Sequence, residues 1–321
     1  MKTIAGDAPD QFLADAESHR GELLAHCYKL LGSLHEAEDV VQETYVRAWR
    51  GQESFEGRSS VRTWLYRIAT NQCLTALGSR QRRALPSGLF APSQDSGVPM
   101  TPYAGKALWL DPFPDVAAGG DPAEVVAARA GVRLALVASL QHLPPRQRAV
   151  FILREALRYP AAEVAEMLEM SVAAVKSALQ RARARLDEIA PTTDEVVEPD
   201  SPQARAILDR YMAAIEQADV EAMSDLLRAD ARLELVPSDV WFEGKVTCVG
   251  HLRDSVMTEP GLYRMVPTVA NGQPAALAYY RESTGDEFRP FAVAVLTIDR
   301  STISALTIFA APDLVERFAA G

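Results

Sequence analysis

The sequence predicts a multidomain protein in which an all-α part, containing a helix-turn-helix, precedes an α+β domain. Three observations lead to this fold class. Apolar residues recur at helical spacing over 10–83 and 121–190, whereas strand-like runs occur only within 203–321. A segment rich in Pro, Gly and Ser, 84–120, joins the two helical regions. An acidic hinge with three prolines, 191–202, precedes the last domain.

The first helical region is predicted to contain three helices. They cover about 11–31, 34–50 and 61–78. Gly32 is placed to end the first helix as a C-cap residue, and the polar loop 52–60 precedes the third helix. The second helix has one face of small and apolar residues suited to packing, formed by Ala37, Val41, Thr44 and Ala48.

The second helical region ends in two short helices, a tight turn and a basic tail, over 159–186. The residues predicted to pack are Val164, Ala165, Leu168, Val172, Val175, Leu179, Ala182 and Leu186. Ser171 is placed to cap the second of these helices. The side chains expected in solvent are Lys176, Ser177, Gln180 and Arg181, with Arg183 and Arg185 behind them. This is the arrangement of a recognition helix in a helix-turn-helix, and a helical hairpin with a solvated basic face is the alternative.

Upstream of this motif, Pro144 and Pro145 mark a helix start, where a missing N–H group costs little. Arg146 and Arg148 flank that helix N-terminus, which is a favourable position for a phosphate.

The last domain begins with helices at about 202–217 and 219–229. The predicted strands follow at 231–237, 275–283, 288–299 and 303–310. A short helix with Leu314 and Phe318 ends the chain.

Charge is distributed unevenly along the 321 residues. The net charge is −10, yet residues 1–190 carry 22 basic and 22 acidic side chains, so the whole excess lies in 191–321. Residues 52–83 carry six basic groups against two acidic, and residues 141–185 carry eight against four. Two local basic regions of this kind are the electrostatic pattern that phosphate binding requires.

The remaining composition favours a cytoplasmic protein without a cofactor. No apolar run could span a bilayer, and no export signal begins the chain. Cys27, Cys73 and Cys248 stand far apart and are expected to be reduced and buried. No nucleotide-binding motif and no metal-ligand spacing occurs, so cofactor and metal are both expected to be none.

Three motifs carry a resemblance to a known family. They read EAEDVVQETYVRAWR at 36–50, FEGRSSVRTWLYRIATNQCL at 55–74 and VKSALQRARARL at 175–186. With this order, the chain resembles an extracytoplasmic-function sigma factor of the sigma-70 family. Its last third resembles a SnoaL-like (ketosteroid-isomerase-like, NTF2-like) cone, an extension of actinobacterial type. The implied domains are sigma region 2 at 10–83, a linker at 84–120, sigma region 4 at 121–190, a hinge at 191–202 and a SnoaL-like domain at 203–321.

The resemblance implies that helix 34–50 docks on the coiled coil of the largest RNA polymerase subunit. An acidic, amide-bearing face should contact a basic protein rather than phosphate, although a solvated acidic face is the alternative. The residues assigned to polymerase core are Glu38, Asp39, Gln42, Glu43 and Tyr45.

The resemblance also implies two promoter contacts. The −10 element and strand opening are assigned to Phe55, Arg58, Arg62, Trp64 and Asn71, because arginines neutralise phosphates and aromatic rings stack on unpaired bases. Trp64 and Tyr66 stand two apart on a helix, so at least one of them is expected in the core. The −35 element is assigned to Arg146, Arg148, Ser171, Lys176, Ser177, Gln180, Arg181 and Arg183.

The last domain is expected to regulate the sigma part of the same chain rather than to be an enzyme. The candidate catalytic groups, none in a distinctive spacing, are Glu234, His251, Asp254, Tyr263 and Tyr279. Two other function classes stay open. One is a helix-turn-helix regulator that acts without a sigma role, and the other is a small-molecule enzyme with a DNA-binding appendage.

Overall fold

The computed structural model describes residues 16–52, 59–78, 82–114, 132–189 and 197–319. The chain divides into two compact units. The first contains the chain up to residue 83 together with 116–190, and the second contains 84–115 together with 191–321. Most of the predicted linker between the two helical regions, residues 84–115, therefore belongs to the second unit.

The first half of the helical unit packs three helices, α1 (Arg20–Leu31), α2 (Leu34–Gly51) and α3 (Val61–Leu77). Gly32 ends α1 with a left-handed φ of 70°, and its N–H donates to the Tyr28 carbonyl at 2.7 Å. The side chains of Ser33 and Ser60 cap α2 and α3. The predicted packing face of α2, from Ala37 to Ala48, is buried. The second and third helices are confirmed. The first was predicted from about residue 11, whereas α1 begins at Arg20, and residues 11–15 lie outside the described residues.

The second half contains α4 (Leu134–Leu140), α5 (Pro145–Phe151), α6 (Ala161–Met167) and α7 (Val172–Ile189). A π-helical turn, Ile152–Ala156, extends α5. The core of this half includes Val137, Leu140, Ala149, Leu153, Val164, Val175 and Ala182.

The second unit contains α8 (Pro202–Gln217), α9 (Val220–Leu226), α10 (Lys245–His251) and the terminal α11 (Pro312–Ala319). Two short strands, β1 (Arg83–Ala84) and β2 (Leu108–Trp109), form a sheet of their own. The strands of the main sheet are β3 (Leu227–Val236), β4 (Trp241–Glu243), β5 (Tyr263–Ala270), β6 (Gln273–Tyr280), β7 (Arg289–Asp299) and β8 (Thr302–Phe309). The main sheet has six strands in the order β4-β3-β8-β7-β6-β5. β3 and β8 are parallel, and the other neighbouring pairs are antiparallel. Apolar residues of α8, α9 and α10 pack with the sheet in one core. The α+β prediction is confirmed.

Two strands of the large sheet and one helix of this unit were not predicted from the sequence, nor were the short β1 and β2. β5 contains Pro267, and a proline inside an apolar run argues against a central strand. The topology explains the exception, because β5 is an edge strand of the sheet, where a missing N–H leaves no ladder bond unmade. β4 has three residues and α10 has seven, which is too short for a periodic pattern.

The segment 84–114 lies against the last domain through backbone and side-chain hydrogen bonds. The Ser93 N–H donates to the Trp241 carbonyl at 2.8 Å, which covers part of edge strand β4. Farther along, the Phe113 N–H donates to Asn271 Oδ1 at 2.9 Å. The Phe113 carbonyl accepts from the Asn271 N–H at 2.7 Å. Phe113 is buried. The segment is thus docked on the last domain at both ends.

His26 on α1 gives the helical unit a pH dependence. Its ring nitrogen Nε2 lies 2.8 Å from Thr70 Oγ1, and the ring is fully buried. Burial, helped by the charges of Lys29 and Arg62, lowers the pKa of His26 to about 3. The unfolded chain takes up this proton below about pH 6.5. The stability that neutral His26 contributes is therefore complete above about pH 6.5 and is lost as the pH falls toward 3.

We expect the free energy of unfolding to fall by about 2 kcal/mol more in the wild type than in His26→Gln between about pH 7 and 5. Glutamine keeps a hydrogen-bonding group beside Thr70 but does not titrate. Urea unfolding of the full chain, followed by helical circular dichroism at both pH values, measures the difference. Equal losses in the two proteins would contradict it.

Candidate nucleic-acid and protein interfaces

Helix α2 presents an exposed stripe opposite its buried face. Asp39 and Gln42 are exposed, as are two large apolar side chains one and two turns later, Val46 at 41% and Trp49 at 42%. Val46 and Trp49 were not selected from the sequence. The period of α2 assigns them to the face opposite Ala37 and Val41, so an exposed tryptophan was the available signal.

The other predicted polymerase contacts are less exposed. Glu38 is half-buried, and Glu43 pairs with Arg47 at 2.8 Å along the helix. The Tyr45 hydroxyl donates to the Ala16 carbonyl at 3.2 Å. Burial, with the charge of Glu17 second, raises the pKa of Tyr45 to about 12. Tyr45 thus ties α2 to the chain before α1 and lies beside the exposed stripe rather than on it.

The residues assigned to strand opening meet protein groups in this structure. Arg62 donates to Glu22 Oε2 at 2.9 and 2.5 Å and to the Tyr159 hydroxyl at 3.3 Å. Burial disfavours the charge on Glu22, but the hydrogen bonds and charge of Arg62 outweigh it and hold the pKa of Glu22 below its ordinary value. Asn71 Nδ2 donates to the Met167 carbonyl at 3.2 Å.

The two aromatic residues of α3 separate as predicted. Tyr66 is a core residue at 1% exposure, whereas Trp64 is half-buried. The predicted loop contacts Phe55 and Arg58 lie outside the described residues.

Arg148 corrects the prediction of a phosphate contact at the start of α5. Its side chain is 3% exposed. The guanidinium donates to the carbonyls of Leu30, Gln141 and Leu143 and to Gln141 Oε1. Burial lowers the pKa of Arg148 to about 10. A phosphate cannot reach this group without displacing four protein bonds. Arg146 lies two residues earlier, on the opposite face of the same helix, and is exposed beside Pro145 as predicted.

Helices α6 and α7 form the predicted helix-turn-helix. Ser171 Oγ accepts the Ala174 N–H at 3.1 Å, so the predicted cap is present. Glu169 makes the turn with a left-handed φ of 53°. Val172 was predicted to pack but is 41% exposed, because it lies in the first turn of α7, before the buried face begins at Val175.

The solvent face of α7 carries the predicted polar residues. Lys176, Ser177, Gln180 and Arg181 are all exposed. The Arg181 guanidinium donates to Ser177 Oγ at 2.6 Å, which orders that pair along the helix. Arg183 pairs with Glu155 at 2.8 Å, and both side chains are accessible to solvent, so a phosphate can compete for this arginine.

The candidate catalytic groups of the last domain are held by different partners, although the charges of His251 and Asp254 act on each other. Glu234 follows the core residue Leu233 on β3, so its side chain points to the opposite face of the sheet. There its carboxylate accepts hydrogen bonds from the Ser87 N–H at 3.0 Å and from the Ser87 hydroxyl at 3.1 Å. His251 Nδ1 lies 3.1 Å from the Ser96 carbonyl. Asp254 is an exposed partner of Arg253, Tyr263 stacks with Tyr280, and Tyr279 lies under Arg264.

Burial outweighs the hydrogen bonds from Ser87 and raises the pKa of Glu234. Burial also lowers the pKa of His251. The hydrogen bonds that Ser87 and Ser96 make to these two groups oppose the shifts, so burial is the cause of both. Among the described residues, no group of three His, Cys, Asp or Glu side chains could hold a metal ion, and no helix is long and apolar enough to cross a membrane. The three cysteines are buried thiols, as predicted.

Comparison with known proteins identifies the family. Models of sigma-70 region 2 and sigma-70 region 4 match residues 16–83 and 133–186. The ECF RNA polymerase sigma factor SigG of Mycobacterium tuberculosis is 45% identical over 317 residues, which span 98% of this chain and 85% of that protein. The chain belongs to the ECF sigma factors.

Two further ECF sigma factors are similar. SigW of Bacillus subtilis is 28% identical over 190 residues, 58% of this chain and 92% of that protein. The crystal structure of SigJ from Mycobacterium tuberculosis superposes on this chain with a TM-score of 0.61 and 22% sequence identity. The match covers 94% of this chain and 97% of SigJ, so the two proteins share a fold. The predicted family is thus confirmed. As a sigma factor, the chain binds RNA polymerase core and promoter DNA and initiates transcription.

We expect Arg148→Ala to lower the free energy of unfolding by about 3 kcal/mol, because it leaves buried carbonyl groups without a donor. Arg146→Ala, which removes an exposed arginine from the same helix, should change it by less than about 0.5 kcal/mol. Urea unfolding of the two full-length variants provides the measurement. Similar small effects would mean that Arg148 is accessible in solution.

Proposed function

We propose that this sigma factor docks on RNA polymerase core through α2, selects promoters through two further surfaces of the helical unit, and is regulated through its last domain. The observation that carries the first part is the exposed stripe of α2, formed by Asp39, Gln42, Val46 and Trp49. It combines apolar area with acid and amide groups, which is the composition of a protein-docking surface. A basic partner helix fits it, and the coiled coil of the largest polymerase subunit is the partner we assign.

The −35 element is assigned to the solvent face of α7. Lys176, Gln180 and Arg181 project from a capped helix that follows a tight turn, which is how a recognition helix enters a major groove. Arg183 and Arg146 supply charge for neighbouring phosphates. Arg148 is withdrawn from this set.

The −10 element and strand opening are assigned to the loop before α3 and to α3 itself. Arg62, Trp64 and Asn71 carry the chemistry for phosphate, stacking and base-edge contacts. Phe55 and Arg58 complete the assignment on the sequence motif alone.

The last domain is proposed to regulate the sigma part through the segment 84–114, rather than to act as an enzyme. That segment connects regions 2 and 4, yet its hydrogen bonds go to the last domain, at Glu234, Trp241, His251 and Asn271. A connection held in this way has fewer conformations available to it, so the last domain limits how far the two sigma regions can separate. The separate protein partners of the candidate catalytic groups support a non-enzymatic role. We propose that the chain works in the cytoplasm, where its polymerase and promoter partners are found.

We expect Trp49→Ala to weaken binding of the full chain to RNA polymerase core about tenfold or more, because a docked tryptophan buries a large apolar area. Val246→Ala is the matched control, since Val246 is 87% exposed in the last domain and belongs to no proposed interface. Fluorescence titration with core polymerase gives the affinity, and run-off transcription from a genomic promoter pool tests the sigma role itself. Unchanged core affinity in Trp49→Ala would contradict the docking assignment.

We expect Glu234→Gln to loosen the segment 84–114, because the new amide cannot accept both Ser87 hydrogen bonds as the carboxylate does. Cleavage by chymotrypsin near exposed Leu89 should then accelerate about threefold or more, and transcript yield with core polymerase should change. Arg232→Gln is the control, because Arg232 lies on the same strand in an exposed pair with Glu243. Faster cleavage with unchanged transcript yield would contradict regulation through this segment.

A further inference from the structure

The core of region 2 contains two cysteines whose thiols are in contact. Cys27 lies on α1 and Cys73 lies on α3, and both side chains are fully buried. A side-chain hydrogen bond joins the two thiols. Two residues far apart in sequence thus bring their sulfur atoms together inside the protein, although neither thiol has a part in binding polymerase or DNA.

The packing of α1 on α3 explains why the thiols meet. The Tyr66 hydroxyl donates to Glu22 Oε2 at 3.2 Å, and His26 Nε2 lies 2.8 Å from Thr70 Oγ1. A step of four residues along α1 therefore corresponds to a step of four along α3, so the two helices advance in the same direction. Cys27 directly follows His26, and residue 73 lies about one helical turn beyond Thr70. The contact between the thiols continues this row of paired side chains.

The third cysteine provides a comparison within the same chain. Cys248 is also buried, but its thiol donates to the backbone carbonyls of Ala231 and Phe242, at 3.4 and 3.7 Å. Burial raises the pKa of Cys248 to about 12. Burial alone thus does not distinguish the three cysteines. The contact with a second thiol, which a disulfide requires, distinguishes Cys27 and Cys73.

We propose that Cys27 and Cys73 form an oxidisable dithiol, a modification site at which a hydroperoxide joins α1 to α3 through a disulfide. In the first step, the sulfur of one thiol attacks the peroxide, the O–O bond breaks, and a sulfenic acid and water are formed. In the second step, the other thiol attacks the sulfenic sulfur, the S–O bond breaks, and a second water leaves. Overall, two thiols are oxidised to a disulfide, and one hydrogen peroxide is reduced to two water molecules.

The position of the pair makes the reaction slow and selective. Burial, followed by the hydrogen bond with Cys27, raises the pKa of Cys73, and buried thiols react poorly with oxidants. Oxidation therefore requires a local opening of α1 from α3. When the helices close again, the second thiol lies beside the sulfenic acid and can capture it before another peroxide arrives. A thiol reductant reverses this product, so the modification responds to the oxidation state of the surroundings.

The disulfide would enclose α2 in a covalent loop, because α2 lies between α1 and α3 in sequence. A cross-link of this kind restricts the unfolded chain more than the folded chain. We therefore expect the oxidised form of region 2 to resist unfolding better than the reduced form.

The experiment exposes the folded full-length protein to hydrogen peroxide, blocks the remaining thiols by alkylation, and identifies the products by peptide mass spectrometry. We expect a cross-linked peptide pair that contains Cys27 and Cys73, lighter by two hydrogen atoms and separated again by dithiothreitol. Cys248→Ala is the matched control, since it removes a buried cysteine and leaves the pair intact. The same cross-link should form in this control.

Urea unfolding then tests whether the bond fits the native packing. Oxidation should raise the urea midpoint of the wild type and of Cys248→Ala by about 1 M. It should leave the midpoints of Cys27→Ala and Cys73→Ala unchanged. These two variants each remove one thiol of the pair from a different helix, so an effect that both abolish belongs to the pair rather than to one altered packing site.

Three results would overturn the dithiol. The first is a disulfide that includes Cys248, and the second is addition of oxygen to Cys27 or Cys73 without a bond between them. The third is a lower urea midpoint after oxidation, because the bond would then form only in chains that have lost the native contact. The assignments to polymerase and DNA enter none of these measurements, so their failure would leave this test unaffected.

Discussion

The end of α1 is the point on which the helical unit depends. A helix that stops inside a protein must have its last carbonyl groups satisfied, and here the donors come from residues more than a hundred positions away, Gln141 and Arg148. The same guanidinium bonds the carbonyls of Gln141 and Leu143, so it also fixes the turn between α4 and α5. One buried cation therefore holds region 4 in shape and holds it to region 2.

The second unit meets a similar requirement with a connecting segment instead of a helix. Edge strand β4 exposes backbone groups, and Ser93 pairs with one of them. Glu234 would be a buried carboxylate without donors if Ser87 were removed. The segment 84–114 is consequently part of the domain that it covers, although by sequence order it connects the two sigma regions. The regulation that we propose for the last domain rests on this double membership.

Periodic patterns predicted the helices, the helix-turn-helix and four strands, because each depends on residues close together in sequence. The errors have a different origin. Arg148 looks like a surface arginine, and only its distant carbonyl partners decide that it is buried. β5 contains a proline, which is tolerated because topology puts this strand at the edge. Val46 and Trp49 became candidates once the packed face of α2 was fixed by α1 and α3. The site assignments for polymerase and DNA remain predictions, with Arg148 removed.

Burial divides the arginines of the helical unit into two kinds. Arg148 makes four hydrogen bonds away from water, so breaking them leaves desolvated carbonyls and costs several times the value of an exposed pair. Arg183 and Arg62 pair with carboxylates that are 35% and 47% exposed, and such pairs are worth about 1 kcal/mol or less. A phosphate can replace a carboxylate at the second kind but not at the first. The groups that hold each half in shape are thus distinct from the solvent-accessible pairs, and the DNA contacts that we propose for Arg62 and Arg183 require only pairs of the second kind to exchange partners.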